Sequence, residues 1–178
     1  MTTTYIALLR GINVGGHHKL PMAELRAMVA DAGARRVRSY IQSGNVVFDH
    51  DSDAPASLEA ELGRSITAST GFAVPVTLRT AQELTTIVAG APFPTSEPTQ
   101  VHVSFLDQPP PTGAFDTVDR AAFAPEDFAL SGRDLYLYLP NGMARTQLPR
   151  ALGLYTKLAA TTRNWRTVVS LRDLATES

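Results

Sequence analysis

The order of apolar runs in the first half of the chain limits its fold more than any other feature. Residues 5–9 form a continuous apolar run and read as a strand. Pro21 opens a helix to about residue 32, with Leu25, Met28, Val29 and Ala32 at helical spacing and Gly33 as its stop. Residues 37–42 and 46–48 read as two strands, and the tight turn Ser43-Gly44-Asn45 joins them as a hairpin. Pro55 and Ser57 introduce a second helix carrying Leu58, Leu62 and Ile66, which ends near Gly71. Residues 74–79 form a fourth strand, and Pro75 assigns it to a sheet edge because proline cannot donate to a ladder. Thr80 caps a further helix through Val88. Strand, helix, strand, strand, helix, strand is the split βαβ, or ferredoxin-like, order.

Three prolines and a glycine between Gly90 and Pro98 mark a linker. Beyond it the order recurs in looser form. Residues 101–106 alternate as a strand, residues 109–111 are consecutive prolines in a loop, and a short helix follows around 117–123. Residues 128–130 and 135–139 flank the turn Ser131-Gly132-Arg133-Asp134. Leu135, Leu137 and Leu139 then share one face of their strand, and Tyr136 and Tyr138 the other. A helical region over 148–160 and a last helix over 164–174 complete the chain, with no clear final strand. The expected fold class is α+β. It comprises two tandem ferredoxin-like (alpha-beta plait) subdomains with antiparallel sheets, 1–89 and 99–178, joined by the linker 90–98, with an extra C-terminal helix.

Composition narrows the function. The 178 residues are 44% hydrophobic and 19% charged, with a net charge of −1. Near-neutral charge disfavours bulk electrostatic binding to nucleic acid. The chain has no cysteine, which excludes disulfides, zinc-thiolate sites and thiol nucleophiles. No export signal or membrane-length apolar stretch stands out, so the expected setting is cytoplasmic, away from membranes.

Three segments carry a family resemblance. They are Ala7-Leu8-Leu9-Arg10-Gly11-Ile12-Asn13-Val14-Gly15-Gly16, Tyr40-Ile41-Gln42-Ser43-Gly44-Asn45-Val46-Val47-Phe48 and Ala160-Thr161-Thr162-Arg163-Asn164-Trp165-Arg166-Thr167-Val168. Together they resemble the signature of the domain of unknown function 1697 family. The resemblance implies an intracellular, mostly bacterial protein with two tandem ferredoxin-like subdomains, and implies no activity.

The first segment is the leading site candidate. An apolar strand ends there in Arg10 and a loop rich in glycine. Glycine lets backbone take positive φ and approach a ligand, and loops at strand ends are frequent binding sites. Gly11 and Gly16 have phosphate-loop spacing, but His17 and His18 follow where Lys and Ser or Thr belong, and Pro21 delays the helix. A nest of backbone donors for an anion fits better than a nucleotide triphosphatase. Its competitor is a purely architectural crossover loop. Arg10 suits a bidentate carboxylate or phosphate, or a surface ion pair. Asn13, Gln42 and Asn45 could orient a ligand, or serve their own turns.

Thr162, Arg163 and Asn164 precede the last helix, where a cap and free N–H groups are expected. Arg163 and Arg166 at that positive end call for an anion or an internal carboxylate as compensation. Trp165 starts the apolar face and reads as core. Expected ligand contacts are therefore Arg10, Gly11, Asn13, Gly15, Gly16, Gln42, Asn45, Thr162, Arg163 and Asn164, for a small anionic metabolite. Arg10 and Arg163 would both pair with the anion, which requires the two segments to meet.

Neither cofactor nor metal is expected. His17 and His18 are adjacent and share no face, and residues 49–53 mimic a calcium loop without its glycine and glutamate. No nucleophile elbow is present. The alternative is an RNA-binding or protein-interaction module using a sheet face, with Arg35, Arg36 and Arg38 as basic cluster and Tyr136 and Tyr138 as stacking surface. A third option is a homodimer through exposed sheet edges. Ligand identity, catalysis and oligomeric state are open at the level of sequence.

Overall fold

A computed structural model describes residues 1–95 and 97–177. Ser96, inside the proline-rich stretch, and Ser178 lie outside the described residues. The chain divides into two compact units, Met1–Thr85 with Leu171–Ser178, and Thr86–Ser170.

The first unit holds β1 (Thr3–Leu9), α1 (Met22–Asp31), β2 (Arg35–Tyr40), β3 (Asn45–His50), α2 (Pro55–Thr70) and β4 (Val76–Thr80). Its antiparallel sheet has the order β2-β3-β1-β4. Alternation decides the core face. Tyr5, Ala7 and Leu9 of β1 pack with Val46 and Phe48 of β3 and with Val76 and Leu78 of β4. Leu25 and Val29 of α1 and Leu58, Leu62 and Ile66 of α2 close this core. Tyr5 and Phe48 are register partners, and their rings stack at 6.0 Å.

The edge strand β4 is guarded. Pro75 stands just outside it, and its carbonyl accepts from Arg10 N at 3.0 Å. Glu59 of α2 reaches across to accept from Leu78 N at 2.6 Å. α3 (Ala81–Ala89) starts on a reciprocal cap: Glu83 N donates to Thr80 Oγ1 at 3.1 Å, and Thr80 N to Glu83 Oε2 at 2.7 Å. Side chains thus occupy edge donors that another strand would need. The other edge strand, β2, carries a register shift between Arg35 and Arg38, with Arg36 at φ +50°.

The second unit holds β5 (Val101–Leu106), α4 (Arg120–Phe123), β6 (Asp127–Ser131), β7 (Asp134–Tyr138), α5 (Leu148–Ala151) and β8 (Ala160–Asn164). Its antiparallel sheet has the order β6-β7-β5-β8, which repeats the first sheet position for position. Leu106, Phe128, Leu135, Leu137, Leu148, Leu152 and Leu154 build its core. The last helix, α6 (Trp165–Thr176), buries Trp165, Val168 and Leu171.

Several expectations need correction. Pro21 is the residue before α1, not its first helical position. Helix α4 begins at Arg120 behind the cap Asp119, whose carboxylate accepts from Ala121 N. The helical region expected over 148–160 stops at Ala151. Gly153 and Tyr155 adopt φ +72° and +68°, and a tight turn bridges Leu154 to Leu158. The final strand exists as β8, paired along β5 from His102–Asn164 to Leu106–Ala160. It escapes an apolar-alternation reading because its residues are Ala-Thr-Thr-Arg-Asn.

Candidate functional site at the glycine-rich loop

The loop after β1 is fastened to the β2–β3 turn. Leu9 N donates to Gly44 O at 2.8 Å. Asn13 sits at φ +54°, a region that asparagine tolerates. Its Nδ2 donates to Leu20 O at 2.9 Å and to Gln42 O at 2.8 Å, while its Oδ1 accepts from Leu20 N at 2.8 Å. Asn13 N donates to His18 O, and the His18 ring pairs Nδ1 with Gly11 O at 3.1 Å and stacks on Phe72 at 4.3 Å. Gly44, at φ +83°, fits against Ile12 and Leu9 because it has no Cβ. The first two family-like segments thus form one locked end of the first unit.

The surface of this end is mostly backbone and small residues. Gly11, Gly15 and Gly16 are exposed at φ +78°, +58° and +79°. Among the described residues their amide N–H groups take no hydrogen-bond partner. A hairpin-like tip holds Gly15 and Gly16, with His17 N donating to Val14 O at 3.0 Å. His17, His18, Lys19 and Gln42 are exposed around them, and Arg10 is half-buried at the base. Val14 and Ile41 add exposed apolar groups, and Ile41 holds φ +50°, an uncommon conformation for a β-branched residue.

Other expected site residues have structural partners. Asn45 is fully buried, and its Nδ2 donates to Tyr40 O at 2.9 Å and Ser43 Oγ at 3.0 Å. Gln42 lies in the turn beyond β2, outside the strand expected over 37–42, which ends at Tyr40. In the second unit, Thr162 Oγ1 bonds Ser104 Oγ at 2.7 Å and also the Tyr155 hydroxyl. Asn164 Oδ1 accepts from Thr167 N at 2.9 Å and caps α6. Arg163 belongs to β8, opposite Val103, rather than to the first helical turn. Its Nη1 donates to Thr162 O at 3.0 Å, and burial pushes the guanidinium down to about 10, against a raising influence from Tyr155. Arg10 to Gly16, Gln42 and Asn45 belong to the first unit, and Thr162 to Asn164 to the second.

The residues of the nucleic-acid alternative are engaged. Arg35 makes a two-pronged pair with Asp51 at 2.8 and 2.7 Å, which with Thr2 holds that carboxyl well below the usual range. Arg36 pairs with Asp49 at 2.7 Å. Arg38 donates to Leu174 O at 2.7 Å and faces Glu177 at 3.5 Å. Tyr136 is buried rather than exposed. Its hydroxyl donates to Ile87 O, and burial with Asp134 nearby pushes it up to about 12. Tyr138 is half-buried and stacks on Phe93 at 5.7 Å.

Among the described residues, no group of three or more His, Asp or Glu side chains is placed to hold a metal ion. No described helix is long and apolar enough to cross a membrane.

Comparison with known proteins agrees with the architecture. The solved structure of the conserved bacterial protein SP0830 from Streptococcus pneumoniae is similar, with a TM-score of 0.77 at 23% identity. The match covers 99% of this chain and 100% of that one. At that identity the likeness concerns fold alone. No curated protein matches the chain. The description "Protein of unknown function (DUF1697)" matches residues 1–136, which include both segments of the locked end. The chain belongs to the DUF1697 family.

Proposed function

We propose that the protein binds a small anionic, phosphorylated metabolite at the loop from Arg10 to Gly16. One observation carries the reading: three exposed glycine amides without partners sit on a loop whose shape is fixed by Asn13 and Gly44. Exposed N–H groups in positive-φ backbone are suited to phosphate oxygens, and a loop already fixed loses little entropy on binding. Arg10 and Lys19 supply positive charge at its two ends, and Gln42 lies beside it to orient a polar group. Asn13 and Asn45 act here by holding the loop and turn. Thr162, Arg163 and Asn164 belong to the other unit and take no part in this reading. The shared order of the two sheets also supports reading each unit as a ferredoxin-like plait.

A thermal-shift series with pyrophosphate, ribose 5-phosphate and uncharged ribose tests the binding. A ligand specific to the folded state raises the melting midpoint with its concentration. We expect stabilisation by the two phosphorylated compounds, absent with ribose and weakened about tenfold in affinity in Arg10→Gln or Lys19→Gln. Equal stabilisation of wild type and both variants removes the reading. Stabilisation by short RNA alone, fading with salt, favours the nucleic-acid module instead.

A further inference from the structure

The second unit contains a cavity unrelated to the glycine-rich loop. It has a volume of about 370 Å³ and is lined by Phe115, Asp116, Val118, Arg120, Phe128 and Leu130. That volume lies within the ordinary range of small-molecule sites. Phe115 and Phe128 meet edge to face at 5.6 Å, and Leu130 stands 43% exposed, a large apolar side chain with surface left to cover.

The charges around this cavity differ in how they are matched. Arg120 lies over the Phe128 ring at 3.8 Å, pairs with Asp127 and donates to Phe128 O at 2.9 Å. Its positive charge is therefore met by Asp127. Asp116 differs: among the described residues its carboxylate has neither ion pair nor hydrogen bond. It rests against Gly113, where an added Cβ would lie 3.0 Å from Oδ2. Gly113 also holds φ +77° and accepts from Asp116 N at 3.0 Å, and the Asp116 side chain is exposed to solvent. Asp119 adds a second negative charge beside Arg120 and uses one oxygen to cap α4.

We propose that this cavity takes an organic ammonium on an apolar body. Phe115, Val118 and Leu130 would receive the apolar part, and Asp116 the ammonium. Apolar burial supplies affinity, while the unmatched carboxylate sets the sign of charge accepted. A carboxylate-bearing ligand of the same shape would meet Asp116 and be repelled.

The test uses three molecules of one shape: 2-phenylethylammonium, neutral 2-phenylethanol and 3-phenylpropionate. Amide spectra of the ¹⁵N-labelled full chain are followed on titration. We expect saturable shifts at residues 115–120 and 128–130 with the ammonium, about tenfold weaker binding of the alcohol, and none of the carboxylate. Asp116→Asn should weaken the ammonium about tenfold and leave the alcohol unchanged. Leu130→Ala should weaken both. Both side chains are exposed, so the variants should melt as the wild type does, which the same samples report. No saturable shift with the ammonium overturns the proposal. So does equal binding of the carboxylate, or an Asp116→Asn variant that binds the ammonium undiminished. None of these outcomes bears on phosphate binding by the first unit.

Discussion

Gly11 and Gly44 have nearly the same backbone angle and different surroundings. At Gly11 an added Cβ meets nothing within 4 Å, whereas at Gly44 it would lie 2.7 Å from Ile12 Cδ1 and 2.9 Å from Leu9 Cβ. Gly11→Ala should cost only the positive-φ strain, about 1 kcal/mol. Gly44→Ala adds a steric clash in a packed end and should cost about 2 kcal/mol more, as chemical denaturation would show. Equal costs would mean that the Ile12 contact does not hold the turn. His102 gives a residue-level test of pH. It is buried, its Nδ1 has no hydrogen-bond partner among the described residues, and burial lowers its pKa. The folded state therefore binds the proton less readily than the unfolded chain. Its contribution to stability is complete above the unfolded value of about 6.5 and is lost as pH falls from there toward the folded value, at no more than about 1.4 kcal/mol per pH unit. His102→Leu should flatten that part of the stability profile between pH 7 and pH 5. An unchanged slope would exclude His102 as its source.

Elements were legible where burial imposed a period. β1 shows as an apolar run because all of Tyr5–Leu9 is buried, and α2 shows through Leu58, Leu62 and Ile66. β8 was hidden because it is a polar edge strand whose place is set by pairing with β5. Leu148, Leu152 and Tyr155 keep helical spacing, but Gly153 leaves the helical region and breaks the helix between them. The site was legible in the same uneven way. The glycine loop and its conformational freedom could be read directly. The fastening of Asn13 to Leu20 and Gln42 could not, since those contacts follow from folding the loop against the β2–β3 turn. The cavity around Phe115 and Asp116 left no signal beyond the triple proline of its loop, because its wall comes from separate segments. Edge protection belongs to this scale too. Glu59→Ala should leave the buried Leu78 N–H unmatched and cost about 1–3 kcal/mol, whereas Glu59→Gln keeps an acceptor and should cost less. Equal losses in the two variants would show that the carboxylate's charge, rather than its acceptor oxygen, matters.

Across the whole molecule, the same sheet order occurs twice with different side chains on it. The first unit carries a fixed, glycine-rich end, and the second carries an aromatic-lined cavity with an unmatched acid. On the proposed reading the common topology is a scaffold, and the chemistry would reside in the loops that each unit adds to it. Two of the family-like segments meet at the loop's fastening. The most direct test is an amide-resolved titration of the full chain with pyrophosphate at low salt. Saturable shifts at Gly11, Gly15 and Gly16, with Asn13 and Gly44 nearly still, are the expected result. Still glycine amides at saturating pyrophosphate, or shifts confined to other surfaces, would contradict anion binding and leave the loop a purely structural connection.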